Sequence, residues 1–329
     1  MTTTGTANRA PLASYVLVTP ARNEAAFIEA TLRSVVAQTV RPTRWVVVSD
    51  GSTDGTDDIV RTYAARHDWI ELLRMPERRE RNFAGKVHAF NAGYDRVKDL
   101  SYQALGCMDA DISFDEEYFA FLLGRLGDDP GLGIVGTPFK DESTYDYRFT
   151  SVEHVSGACQ LFRRECFEEI GGYVPMKLGG VDHVAVITAR MKGWKTRTFT
   201  EKICFHHRKI GSAQHGRLKA SFRVGVLDYA LGAHPLWEVF RAVYQATRRP
   251  RLVGGFVLLA GYLSAAARRL ERPVSAELVA FRRREQMSRL RRFLIGRRTA
   301  AAASRMRRRP ASSEVNEQSK TPGAHLPQQ

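Results

Sequence analysis

Residues 15–24 read Tyr15-Val16-Leu17-Val18-Thr19-Pro20-Ala21-Arg22-Asn23-Glu24. The first five form a continuous apolar and β-branched run, the kind a parallel sheet buries on both faces. They predict a central strand, with a polar corner at its carboxyl end, where open α/β sheets collect their ligands. Working outward, Phe27, Ile28, Leu32, Val35 and Val36 recur at helical spacing until Pro42, so Asn23-Glu24 opens a helix. Arg44 to Ser49 reads as a second strand ending in a glycine-rich turn, Asp50-Gly51-Ser52-Thr53-Asp54-Gly55-Thr56. A helix follows over Asp57–Arg66, then a short strand Ile70–Leu73, a helix Lys86–Asn91, a strand Ala104–Met108 and a helix Asp115–Leu126. This alternation predicts an α/β fold with a mainly parallel sheet flanked by helices. Beyond Gly131 the pattern loosens, with a strand at Ile134–Gly136, a polar stretch through Tyr147 and a segment Gly157–Arg163.

The chain has 329 residues, 43% of them hydrophobic, which supplies a full core and excludes disorder throughout. Its net charge of +15 is unevenly spread. From Arg241 to Arg309 there are 19 Arg and no Lys against Glu271, Glu277 and Glu285, so this arm carries +16 and the remainder about −1. Charge arguments about partners therefore apply to the arm alone, and nucleic-acid binding by the whole protein is poorly supported. The four cysteines stand apart without C-x-x-C spacing, which points to a reducing cytosol and to neither a disulfide framework nor a structural zinc. Met1–Ala10 lacks the pattern of a secretory signal, so the body is expected on the side where it was made. The apolar run Leu252–Ala267 is 16 residues long, short of the roughly 20 a spanning helix needs. Arg248, Arg249, Arg251, Arg268 and Arg269 bracket it, and lying in an interface suits it better than crossing. These readings divide the chain into a flexible start (1–12), an α/β domain (13–215), a basic amphipathic helical region (216–309) with Tyr229, Trp237, Phe240 and Tyr244 as anchors, and a Pro, Ser and Gln-rich tail (310–329) expected to be disordered.

Three strand ends carry the candidate chemistry. Met108-Asp109-Ala110-Asp111 sets two carboxylates in the mouth of a strand, which suits a hard cation such as Mg2+ or Mn2+; a solvated acidic turn is the plainer reading. Asp50 can accept hydrogen bonds from a base or ribose, or it can join Ser52, Thr53 and Asp54 in capping the next helix. Small residues at Gly157-Ala158-Cys159-Gln160 leave room for a sugar or serve core packing.

These segments resemble the family 2 glycosyltransferases of the GT-A fold, inverting enzymes that use nucleotide-sugar donors. The likeness rests on Pro20 to Glu24 (P-x-x-N-E), on Asp50 to Thr56 (D-G-S-x-D-x-T), on Asn82 to Gly93 (N-x-x-G-K-x-x-A-x-N-x-G), and on Gly171-Gly172-Tyr173 with Asp182. It runs from about Tyr15 to about Arg208. The resemblance implies that Pro20, Arg22 and Glu24 line the nucleoside pocket, that Asp50 meets the base, and that Lys86 approaches the diphosphate. Asp109 would hold ribose or metal-bound water, Asp111 would bind the metal directly, and Asp182 would be the general base. Family members often place a second acid beside that base, whereas this chain has Gly180-Val181-Asp182-His183. Asp182 could also cap the helix Val184–Met191. In Phe205-His206-His207-Arg208-Lys209, one of His206 and His207 is a candidate third metal ligand, and Arg208 and Lys209 read either as a cation for the diphosphate or as surface charge.

The expected function is a metal-dependent inverting glycosyltransferase acting on a lipid-linked or polysaccharide acceptor, held peripherally on an anionic membrane at its cytoplasmic face, in cell-envelope or exopolysaccharide synthesis. Processive synthases of this family carry Q-x-x-R-W and a bundle of spanning helices, and Gln286-Met287-Ser288-Arg289-Leu290 lacks the Trp. A sugar nucleotidyltransferase would open with a Gly-rich loop, and Pro20 to Glu24 holds no glycine. A catalytically inactive sugar-nucleotide-binding protein is the remaining alternative.

Overall fold

The computed structural model describes residues 12–77, 83–140, 151–208, 214–246 and 253–307. The central run forms β1 (Tyr15–Ala21), followed by α1 (Ile28–Val36), β2 (Arg44–Asp50), α2 (Thr56–Ala64), β3 (Ile70–Met75), α3 (Ala84–Asp95) and β4 (Ala104–Met108). Then come β5 (Ile112–Ser113), α4 (Tyr118–Asp128), β6 (Leu132–Gly136), β7 (Phe139–Lys140), β8 (Cys159–Arg163), α5 (Arg164–Glu169), α6 (Val181–Met191), β9 (Lys195–Thr198) and β10 (Cys204–His206). Seven strands share one sheet in the order β3-β2-β1-β4-β8-β6-β9. Every pairing in it is parallel except the two made by β8, which runs against β4 and β6. The mainly parallel, helix-flanked sheet is thus the one that the alternation predicts. Successive side chains of a strand face opposite ways, and the core divides accordingly. Leu17 and Val47 join Leu32, Phe119 and Leu122 on one face, while Val16, Val18, Val46 and Val48 join Val87, Phe90 and Phe162 on the other.

Several boundaries differ from the sequence reading for local reasons. The first helix starts at Ile28 and not at Asn23-Glu24, because the glycine-rich turn captures the amides there. Ser52 Oγ accepts from the Asn23 amide at 3.1 Å, Thr56 Oγ1 from Glu24 at 2.8 Å and an Asp54 carboxylate oxygen from Ala25 at 2.9 Å. Asn23 itself stands at φ 56°, a left-handed conformation that Asn tolerates better than most residues, and its side chain returns a bond to the Thr53 amide. The two motifs are therefore stitched together, and Ser52 and Thr53 serve that seam instead of a helix cap. The helix expected over Lys86–Asn91 extends to Asp95, and that over Asp115–Leu126 starts at Tyr118. Asp182 lies within the first turn of its helix, behind Gly180 at the N-cap, and so does not cap it.

A three-stranded sheet, β5-β10-β7, closes over the sheet's carboxyl end and sets His206 opposite Ile112, next to Asp111. Four helices follow: α7 (Gln214–Ala230), α8 (Pro235–Ala246), α9 (Val253–Ala267) and α10 (Ala276–Arg307). The apolar α9 packs on α7 and α8 where glycines let the backbones meet. A Cβ on Gly225 would lie 1.9 Å from the Leu258 carbonyl oxygen, and one on Gly261 2.1 Å from that of Phe222. Among the described residues no helix is long and apolar enough to cross a membrane. Leu227 and Leu231 pack with Met176, Val184, Ile187 and Leu278, joining α7 and α10 to the base of α6. Across this seam Arg190 makes a two-pronged ion pair with Glu285, at 2.8 and 2.9 Å, and Arg289 reaches Glu153 at 2.6 Å. Within the C-terminal region, Tyr229 meets Tyr262 edge-on and Phe240 packs on Trp237 and Phe293. The start at residues 1–11, the tail 310–329 and the arginines Arg248, Arg249 and Arg251 lie outside the described residues.

Candidate active site

Two adjoining cavities open at the carboxyl ends of β1, β2 and β4. The larger, about 560 Å3, is lined by Pro20, Arg22, Glu24, Asp50, Lys86, Asp109 and Asp111. All six residues assigned to the nucleotide-sugar by resemblance thus stand in one space with Asp111. The smaller, about 290 Å3, shares Lys86 and Asp109 and adds Asp182, His206, Gly157 and an apolar wall that includes Val87, Phe90 and Tyr173.

Charge in the larger cavity is closely paired. Asp50 lies 3.8 Å from Arg22 and is almost fully buried. Lys86 donates to Asp109, a half-buried ion pair in the wall that the two cavities share. Burial works against the Lys86 charge, but Asp109, with Cys107 and Asp182, outweighs it and holds the ammonium pKa above its usual value. Burial raises the Asp109 carboxyl, and Lys86 opposes that rise. Burial likewise raises Glu24, against the pull of Arg208.

Asp109, Asp111 and His206 offer two carboxylate oxygens and an imidazole nitrogen, all within 4.8 Å of one another. That donor set, where the two cavities adjoin, fits a divalent cation that also takes oxygens from a ligand. The two histidines point apart, as neighbours on a strand must. His206 Nε2 lies 3.5 Å from Asp111, whereas His207 Nε2 shares a hydrogen bond with Ser113 Oγ at 2.8 Å. Arg208 is no surface charge. Its guanidinium binds Asp111 at 3.1 Å and Glu24 as well, and it lies over the Phe27 ring. Lys209 lies outside the described residues, as does Asn82.

Asp182 reaches the smaller cavity from the first turn of α6, over a backbone that leaves it room. A Cβ on Gly157 would sit 2.9 Å from Asp182 Oδ2, so glycine there is a condition of the carboxylate's position. Gly157 and Ala158 line the cavity, while Cys159 and Gln160 are buried in β8. His183 turns away and meets His154 edge-on, 5.4 Å between ring centres. Burial, with Arg282 and other nearby cations, keeps His183 well below its ordinary pKa. Gln286 and Arg289 also serve the frame: Gln286 accepts from the His234 amide at 2.8 Å.

Two wall residues escaped the sequence reading. Lys177, in the turn before α6, and Arg223, on α7, both line the larger cavity. Arg223 lies over the Phe83 ring, and among the described residues neither cation has a carboxylate partner. No spacing marks them, because α7 follows β10 by a segment whose path the sequence does not specify. His154 escaped too; burial lowers its pKa while the nearby Asp182 pulls it up.

Residues 16–171 match the family described as Glycosyl transferase family 2. This segment is a family 2 glycosyltransferase domain. The poly-beta-1,6-N-acetyl-D-glucosamine synthase of Staphylococcus aureus (strain COL) is 29% identical over 136 residues, 41% of this chain and 31% of the relative. The Staphylococcus epidermidis protein of the same name is 23% identical over 209 residues, 57% of this chain and 47% of its own. The chain therefore spans about a third to a half of the length of these relatives. Among solved structures, the Pyrobaculum calidifontis mannosyltransferase PcManGT, in complex with GDP-Man and Mn2+, superposes with a TM-score of 0.56 at 23% identity, over 79% of this chain and 76% of that one. Staphylococcus aureus TarS 1–349, in complex with UDP-GlcNAc, gives 0.50 at 15% identity, over 79% and 74%. At such identities the likeness establishes the fold, and the family 2 domain has the GT-A architecture.

Proposed function

We propose that the chain is a metal-dependent inverting glycosyltransferase that moves a sugar from a nucleotide-sugar donor to a lipid-linked or polysaccharide acceptor at the cytoplasmic face of a membrane, in cell-envelope or exopolysaccharide synthesis. One observation carries this reading: Asp182 borders the same cavity as Asp109 and His206, and Asp109 also lines the adjoining cavity with Asp111, Arg22, Glu24 and Asp50. Arg22, Glu24 and Asp50 would hold the nucleoside, and Lys177 and Arg223 would face the diphosphate. The acceptor hydroxyl would lie against Asp182, which takes its proton as the oxygen bonds to the anomeric carbon and the bond from that carbon to the diphosphate oxygen breaks. The electron pair leaves on the diphosphate. Asp109, Asp111 and His206 would hold a divalent cation, Mg2+ or Mn2+, which when bound stabilises charge on the leaving group.

The relatives named as polysaccharide synthases and the solved complexes with GDP-Man and UDP-GlcNAc support donor and acceptor of this general class. The test is a thermal-shift titration of the full chain with nucleoside diphosphates and sugar nucleotides, with and without Mn2+ or Mg2+, since a ligand of the folded state raises its melting temperature. Metal-dependent stabilisation by one nucleotide is the expected result. No response to any of them would overturn this reading and the inactive sugar-nucleotide-binding alternative with it, whereas stabilisation without turnover would favour that alternative.

A further inference from the structure

The exposed apolar side chains are unevenly placed. Of the 14 large hydrophobic residues exposed among the described residues, nine lie on α8, α9 and α10. On α8 they are Leu236, Val239 and Val243, three and four residues apart, hence one stripe. On α9 they are Val253, Phe256 and Leu263, on the side away from Gly254, Leu258, Gly261 and Tyr262. The two helices run antiparallel, because Gly255 meets the Ala242 backbone while the Tyr262 hydroxyl bonds to the Ala233 carbonyl at 2.9 Å. The two stripes therefore run side by side along the hairpin. Phe256 is 71% exposed, Val243 63% and Leu236 61%, values that leave most of each side chain in water.

Cations border this hairpin. His234, at the foot of α8, shares a groove with Arg284, Arg291 and Arg292 of α10, and among the described residues none of these three arginines pairs with a carboxylate. An apolar stripe edged with unpaired guanidinium groups matches the boundary between acyl chains and anionic headgroups, one side of it hydrocarbon and the other phosphate. A second copy of the chain is the wrong complement, since the arm's net +16 would meet itself. A nucleic acid offers nothing to the stripe. We infer that the α8–α9 hairpin, with the arginines of α10, is a docking face that lies on an anionic lipid surface, the apolar stripes entering below the headgroups and Arg284, Arg291 and Arg292 meeting lipid phosphate. This gives an address to the membrane-facing part of the proposed function and is independent of its catalytic part.

The test is sedimentation of the full chain with vesicles of phosphatidylglycerol and phosphatidylcholine, or of phosphatidylcholine alone. Two multiple variants are compared with the parent: Leu236→Ser with Val239→Ser and Phe256→Ser, and Arg284→Glu with Arg291→Glu and Arg292→Glu. The parent should bind the anionic vesicles about tenfold more tightly than the neutral ones, and each variant should lose about tenfold while its response to nucleotide in thermal shift is kept. A measurement without variants runs alongside: Trp237 fluorescence should be quenched by lipids brominated near the headgroup. Vesicle binding by both variants at the parent's strength would keep the membrane reading and overturn this face. Absence of binding by the parent would overturn both, and a dimer that the serine variant dissolves would replace the lipid with a second copy.

Discussion

Asp182 keeps its place at the smaller cavity because residue 157 is glycine. If Asp182 is the base of the proposed reaction, Asp182→Asn keeps its shape and removes its basicity, so turnover should fall about 100-fold or more with donor affinity unchanged. Gly157→Ala should lower turnover by displacing the same carboxylate; a variant as active as the parent would show that the position has slack. Lys177 and Arg223 make a different prediction. If they face the diphosphate, Lys177→Ala and Arg223→Met should each weaken nucleoside diphosphate binding about tenfold and leave the uncharged nucleoside alone. Equal loss for both ligands would mean that the wall itself had moved. Most of the lining of the larger cavity was legible because its residues are contiguous: Pro20, Arg22 and Glu24 are fixed by the first strand, and Asp109 and Asp111 by the fourth. The cations were not. Lys177 falls between Tyr173 and Asp182 without belonging to either motif, Arg223 lies beyond the last of them, and the roles of Arg208 as a bridge and His154 as a neighbour of Asp182 arise from tertiary contacts that no periodicity encodes.

At the scale of elements, α10 acts as a strap across α6, the helix that carries Asp182. Its anchor is the Arg190–Glu285 pair, largely shielded from water, with Arg289 on Glu153 beside it. Glu285→Ala leaves Arg190 poorly compensated and should cost about 2 kcal/mol of stability, read as a lower urea midpoint. A second seam lies among α7, α8 and α10, where Asp228 binds Arg282 at 2.8 Å and also Arg241, while both carboxylate oxygens of the buried Glu238 lack a hydrogen bond. Burial, helped by Asp228 and opposed by Arg241 and Arg282, pushes Glu238 from 4.5 up to about 8. The folded state then keeps a proton that the unfolded chain has released, so this stability is full below about pH 4.5 and is lost as pH rises through 8. Glu238→Gln does not titrate, and its melting temperature should gain on the parent's steadily from pH 5 to pH 8.5. A gap that stays constant with pH would place the proton elsewhere. Helix starts were misread where polar side chains compete for amides, as at Asn23 and Glu24, and the start of α6 was misplaced because Gly180 caps it at φ 81°.

Seen whole, the molecule joins a nearly neutral α/β body to a strongly basic helical arm, and the sequence shows that division in its charge. What composition hides is how closely the two are joined: α7 supplies a wall of the larger cavity, α10 clamps α6, and α9 lies against α7 through glycines that leave no space between backbones. Vesicle binding by the arm should weaken as salt rises, with a residue that persists at high salt, because the stripes are insensitive to screening. The reach of Arg223 also sets an order of events during synthesis. The strand ends that gather Arg22, Glu24, Asp50 and Asp111 emerge from the ribosome first and can fold as they appear, but the cavity gains its last cation, Arg223, only when α7 follows. A nascent chain halted before residue 214 would carry Arg22, Lys86 and Lys177 but lack Arg223, so if Lys177 and Arg223 hold a diphosphate as proposed, its full affinity belongs to the released protein and not to the growing one.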